Sequence, residues 1–113
     1  MRTFTIILLL AVISPVNAQK ALDTLDDIFN LVESKFDNFE VDYEEENLRI
    51  DSLEGKGTFI VSIHSPTSQI WLSSPISGAH HFELINNTND WIGTRDKNLN
   101  LIKVLQMELG SLK

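Results

Sequence analysis

The sequence predicts an α+β fold, a two-layer sandwich. In it, an antiparallel sheet of about five to six strands carries an N-terminal and a C-terminal helix on one face. Three observations lead there. Apolar residues recur at helical spacing near both ends, they alternate with period two in between, and the alternating segments are joined by connections too short for parallel crossovers. Such a sheet needs a cover for its apolar face, and the helices need somewhere to bury their stripes. Packing both helices on one face meets both needs and leaves the other face to solvent.

The chain opens with "MRTFTIILLLAVISPVNA". One early Arg2, an apolar run from Phe4 to Ile13, a breaker at Pro15 and a small residue at Ala18 are the grammar of a cleavable targeting segment. The run is too short to span a bilayer. Residues 1–18 are therefore expected to be a leader and residues 19–113 the folded domain. With Arg and Ser sparse, the leader alone points to the secretory pathway.

Next, "LDTLDDIFNLVESKF" places Leu22, Leu25, Phe29, Val32 and Phe36 at three- and four-residue steps, with Ile28 widening the stripe. Asp23, Asp26, Asp27, Asn30, Glu33 and Asp37 take the other side. A helix starting at Leu22 puts the three aspartates in its first turn, where the helix dipole favours them. The period then changes to two. Val41, Tyr43, Leu48 and Ile50 alternate with charged residues around an "EEEN" turn, giving a hairpin. In "GKGTFIVSIHSP", Phe59, Val61 and Ile63 share a face opposite Ile60, Ser62 and His64. "QIWLSS", "AHHFELI" and "DWIGTR" follow, separated by the turn formers "PISG" and "NNTN". The closing helix aligns Leu101, Val104, Leu105, Leu109 and Leu112, with Asn98 or Asn100 as its cap.

Charge is spread unevenly. The net charge is −7, and 12 of the 16 acids fall between Asp23 and Glu54, opposed there only by Lys35 and Arg49. A one-sided acidic field repels phosphate backbones and attracts cations or basic protein surfaces, which argues against nucleic-acid binding. The chain has no cysteine, so burial alone must hold the fold. Small extracellular domains usually carry disulfides, whereas the "NNT" triplet at Asn86 matches an N-glycosylation acceptor; the two hints oppose each other.

The residue of most interest is Trp71. Alternation points Ile70 and Leu72 to the core and sends Gln69, Trp71 and Ser73 to the open face. A large aromatic among polar neighbours is the composition of an interaction anchor. The competing reading packs it on a neighbouring strand, against Phe59 or Trp91. Other chemistry is thin. His80 and His81 point to opposite faces and His64 has no ligand spacing to either, so the histidines read as structural or surface residues. No nucleophile elbow, P-loop, EF-hand loop or di-iron Glu-x-x-His pattern occurs.

From Leu22 to Leu112 the chain resembles the frataxins. The run "GTFIVSIHSPTSQIWLSSPISGAHHFE" carries the resemblance most specifically, above all Gln69 to Pro75, Gly78 and the "HFE" after it. "DWI" at Trp91 and "LIKVLQMEL" agree with it. The resemblance implies the same sandwich, weak surface binding of iron (Fe2+/Fe3+) and docking on the cysteine desulfurase and iron–sulfur scaffold protein. It implies an acidic ridge of Asp23, Asp26, Asp27, Glu33, Asp37, Glu40, Asp42 and Glu44, and a partner face of Trp71, Gln69, Ser62, His64 and His81. It also implies a mitochondrion or mitochondrion-related organelle, against the secretory reading of the leader. A monomer without stable membrane insertion is the simplest state of the domain. Asn30 and Leu31 stand where many members carry acids, and the Leu84–Asp90 loop is longer than usual. An iron–sulfur assembly factor is thus preferred to a ferroxidase or to a secreted acidic binding module.

Overall fold

The computed structural model describes residues 15–112. Helix α1 spans Pro15–Lys35, and six strands follow: β1 Phe39–Glu44, β2 Asn47–Ser52, β3 Thr58–His64, β4 Gln69–Ser74, β5 Gly78–Leu84 and β6 Trp91–Gly93. Helix α2, Leu101–Ser111, closes the chain. The strands form one sheet in the order β1-β2-β3-β4-β5-β6, each antiparallel to its neighbour. The expected α+β sandwich is the observed fold, at the upper end of the expected strand count.

Both helices lie on one face. Their buried stripes, Ala21, Leu25, Ile28 and Val32 from α1, continued by Phe36 just past its end, and Leu101, Val104, Leu105 and Leu109 from α2, meet Val41, Leu48, Ile50, Phe59, Val61, Ile70, Leu72 and Phe82 from the sheet. Fully burying a side chain of this size contributes about 1.5–3 kcal/mol, so a cysteine-free domain can be held by this layer. Asn100 caps α2, its side chain accepting the Lys103 backbone N–H at 3.3 Å, which settles the choice between Asn98 and Asn100.

The start of α1 corrects one expectation. The helix begins at Pro15 and not at Leu22, so no acid lies in its first turn. Ala18, Gln19, Lys20 and Ala21, ahead of Leu22, propagate a helix readily. Asp23, Asp26 and Asp27 therefore sit mid-helix, and the dipole does not account for them. Of the expected leader, residues 1–14 lie outside the described residues, and residues 15–18 belong to α1. Among the described residues no helix is long and apolar enough to cross a membrane.

Two loops brace the sheet ends. The Leu84–Asp90 connection is tied by Ile85 N–H to Asp90 O at 3.0 Å, by the Thr88 hydroxyl to Ile85 O at 2.7 Å, and by Lys20 Nζ to Thr88 O at 2.9 Å. At the end of β6, Gly93 lets the chain fold back on itself. A Cβ there would meet Asp96 O at 2.6 Å, while the Gly93 N–H donates to Leu99 O at 3.0 Å.

Candidate functional site

The open face of the sheet is set by the alternation in β3, β4 and β5. Register places Ser62 opposite Trp71 and Trp71 opposite His81, with His64 opposite Gln69 and Gln69 opposite Glu83 in the next row. Trp71 is half-buried on this face. Its indole stacks on His64 with ring centroids 3.8 Å apart and 14° between planes. Its other face stacks on His81 at 4.2 Å and 9°. Three flat rings thus form one pile across three strands.

Each ring is held from its own backbone. The Trp71 indole N–H donates to Gln69 Oε1 at 2.8 Å, an acceptor two residues away on the same side of the strand. His64 Nδ1 lies 2.7 Å from Thr67 Oγ1. That threonine is placed by the one-turn 3-10 helix Ser65–Thr67, which begins at Ser65-Pro66 and ends on the left-handed Ser68. His81 is fixed by its strand, whose carbonyl accepts the Thr94 N–H at 2.9 Å just after the Gly93 fold-back.

Trp71 is therefore neither bare nor packed on Phe59 or Trp91. Phe59 and Trp91 are buried on the helix-covered face, and the neighbours that the open face supplies are imidazoles. The expected partner-face residues Ser62, His64, Gln69, Trp71 and His81 do come together. His80 faces the other way, with Nε2 2.7 Å from Ser77 Oγ.

The acids do not gather in the same way. All eight expected ridge residues are exposed. The structure divides them. Asp23, Asp26, Asp27 and Glu33 lie on α1 in the helix layer, Glu40, Asp42 and Glu44 lie on the open-face side of the edge strand β1, and Asp37 is in the turn between. Even the helix set splits, since Asp23 and Asp27 line a groove between the helices with Lys20, Ile102 and Gln106, whereas Asp26 reaches Tyr43. Among the described residues no three His, Asp or Glu side chains converge on a point that could hold a metal ion.

Four residues outside the expected site sets, Tyr43, Glu46, Arg49 and Asp51, modify this acidic edge. Tyr43 packs on Phe29 at 6.2 Å, and its phenol is pushed above the ordinary 10.0 by burial, then by the charge and hydrogen bond of Asp26, then by the charges of Asp23 and Glu46. Glu46, at the β1–β2 turn, thereby joins the field. Arg49 lies opposite Asp42 and holds Asp51 at 2.9 Å. Asp51 titrates below its ordinary 3.8, first through the Thr58 hydroxyl and second through Arg49, which offsets its like-charge pairing across the strands with Glu40. The signal for Arg49 was the hairpin register, which sets a lone cation opposite Asp42 and two residues from Asp51.

A frataxin-like domain model matches residues 16–112. The chain belongs to the frataxin family. A frataxin homolog from Schizosaccharomyces pombe, described as mitochondrial, is 35% identical over 92 residues, covering 80% of this chain and 58% of that protein. The chain spans about half the length of the curated relatives it matches. A solved trimeric frataxin from Saccharomyces cerevisiae, complexed with ferrous iron, is 28% identical with a TM-score of 0.68, covering 81% of this chain and 83% of that one. The frataxin from Psychromonas ingrahamii shares the fold at a TM-score of 0.75 and 18% identity, covering 86% and 88%.

Proposed function

We propose that this chain is an iron-binding frataxin of iron–sulfur cluster assembly, which docks on a cysteine desulfurase–scaffold complex through the open sheet face. The observation that carries the reading is the ring pile around Trp71, a pre-ordered aromatic surface on a face that no helix covers among the described residues. Exposed carboxylates on α1 and β1 supply hard oxygen donors for ferrous iron as cargo. Donors spread over separate stretches suit loose, exchangeable binding. The relatives from fission yeast, Leishmania donovani and Arabidopsis thaliana are named mitochondrial, which supports a mitochondrial address over a secretory one.

Two measurements test the reading. In reconstituted cluster formation, wild type is expected to change the desulfurase-dependent rate and Trp71→Ala to lose that effect; equal action by both sinks the docking. In an anaerobic ferrous titration, paramagnetic broadening is expected at amides of α1 and β1 and should diminish in Asp23→Asn/Asp26→Asn/Asp27→Asn. Broadening confined to the His-bearing strands would overturn the iron assignment.

A further inference from the structure

Both faces of the Trp71 indole are already occupied, by His64 at 3.8 Å and His81 at 4.2 Å. A partner can reach only the rim of the pile, and any surface that buries Trp71 must bury parts of both imidazoles with it. Imidazoles change charge between pH 5 and 8, and a buried cation without a counter-charge is costly. We propose that docking at this face is gated by protons: the pile binds its partner with His64 and His81 neutral, and protonation of either weakens the complex. The inference rests on the docking reading above and adds its regulation.

The surroundings of the pile favour this sign. Across the three strands its immediate neighbours on the open face are Ile60, Ser62, Gln69, Ser73, Ala79 and Glu83, of which only Glu83 is charged. Glu83, in the row of His64 and Gln69, is already engaged by Lys97 Nζ at 3.1 Å. On the far side of His81, Arg95 and Asp96 line the same small cavity with opposite charges. Next to the end of β3 that carries His64 lies the β1–β2 turn with the exposed Glu45 and Glu46, the charge of Glu46 acting on Tyr43. The 3-10 turn offers only the Thr67 hydroxyl. The one carboxylate in the rows of the pile, Glu83, is thus already committed to Lys97 and not to an imidazolium. In the free protein, by contrast, an imidazolium over the indole gains a cation–π attraction. Protonation therefore favours the undocked state on both counts.

The test combines two readings on the full chain. The first is fluorescence of wild type minus that of Trp71→Phe, which isolates Trp71 from Trp91. An imidazolium in contact with an excited indole quenches it, so this difference is expected to fall as pH drops from 8 to 5.5. In His64→Gln/His81→Gln it should stay level. The second is the affinity for the desulfurase–scaffold complex over the same range. Wild type is expected to bind about tenfold or more weakly at pH 5.5 than at pH 8, by linkage, and the double variant to show a flat profile. A flat fluorescence difference in wild type overturns the gating even if docking is intact. Identical pH profiles for wild type and double variant place the titrating group on the partner and overturn it too. Failure of wild type to bind at pH 8 overturns the docking reading itself, and the gating with it.

Discussion

The chain's two tryptophans use the same side chain in opposite ways. Trp91 lies under α1, 2% exposed, and its indole N–H reaches Thr24 Oγ1 at 2.8 Å across 67 residues of sequence. Trp71 lies on the other face, half-buried, and its indole N–H reaches Gln69 Oε1, also at 2.8 Å, only two residues away. The first bond ties a helix to the last strand of the sheet. The second ties nothing distant together; it holds one ring in one orientation. A long-range bond beneath a cover is spent on the fold, whereas a local bond on an uncovered face keeps a surface ready for something else.

The largest expected effect separates the two directly. Trp91→Ala removes a fully buried ring and leaves the Thr24 hydroxyl, itself donating to Lys20 O at 2.8 Å, without its indole donor. A loss of about 3–5 kcal/mol in unfolding free energy is expected, read by urea denaturation. Trp71→Ala should cost only about 1 kcal/mol, the scale of an aromatic stacking pair, yet abolish docking. Similar losses of stability in the two variants would break the comparison, because Trp71 would then be part of the core.

A middle-sized effect lies where the two faces communicate. Ser74, the last residue of β4, is buried on the helix side and donates to Glu108 Oε1 of α2 at 2.6 Å. Its hydroxyl oxygen also accepts the Ile76 and Ser77 N–H groups at 3.0 and 3.1 Å, fixing the turn that follows the Trp71 strand. Glu108 is only 7% exposed, so Ser74→Ala strands a carboxylate as well as a turn. About 1–3 kcal/mol should be lost, with Ser74→Ala/Glu108→Gln partly restoring it because the lone charge is gone. No recovery in the double variant would mean that the turn, and not the carboxylate, accounts for the loss.

This contrast also explains what was legible in the sequence. Period and spacing identified both helices, all six strands and the face on which Trp71 lies, because burial on one face imposes alternation. Helix α1 was read too short, since the residues before Leu22 look like the tail of a leader and their helicity comes from good helix formers, with no apolar stripe to announce it. Ring-on-ring contacts were out of reach: alternation places His64, Trp71 and His81 on one face, but stacking follows from cross-strand register. Glu108 was hidden for a related reason. A lone acid inside an apolar helix reads as solvent-facing until Ser74 is found opposite it. The acidic ridge was legible as composition, and only the coordinates divide it between the helix layer and the edge strand.

The smallest expected effect tests whether those two acid sets still share one field. Tyr43 is the chain's one tyrosine, so its ionisation can be followed by phenolate absorbance without interference from another. It belongs to β1, while Asp26, whose hydrogen bond and charge help to hold the phenol above 10.0, belongs to α1. Asp26→Asn keeps a hydrogen-bonding group of the same shape and removes the charge. The phenol should then titrate lower than in wild type, yet still above 10.0, because burial is the larger cause and is unchanged. The stability effect follows in sign. A folded value above the unfolded one stabilises the protein fully below pH 10.0, and that contribution is lost as pH rises through the folded value. Wild type should therefore lose more stability on the alkaline limb than Asp26→Asn does. Coincident phenolate curves for the two proteins would show that the helix acids and the edge strand act separately, leaving no electrostatic link between the layers for a bound cation to exploit.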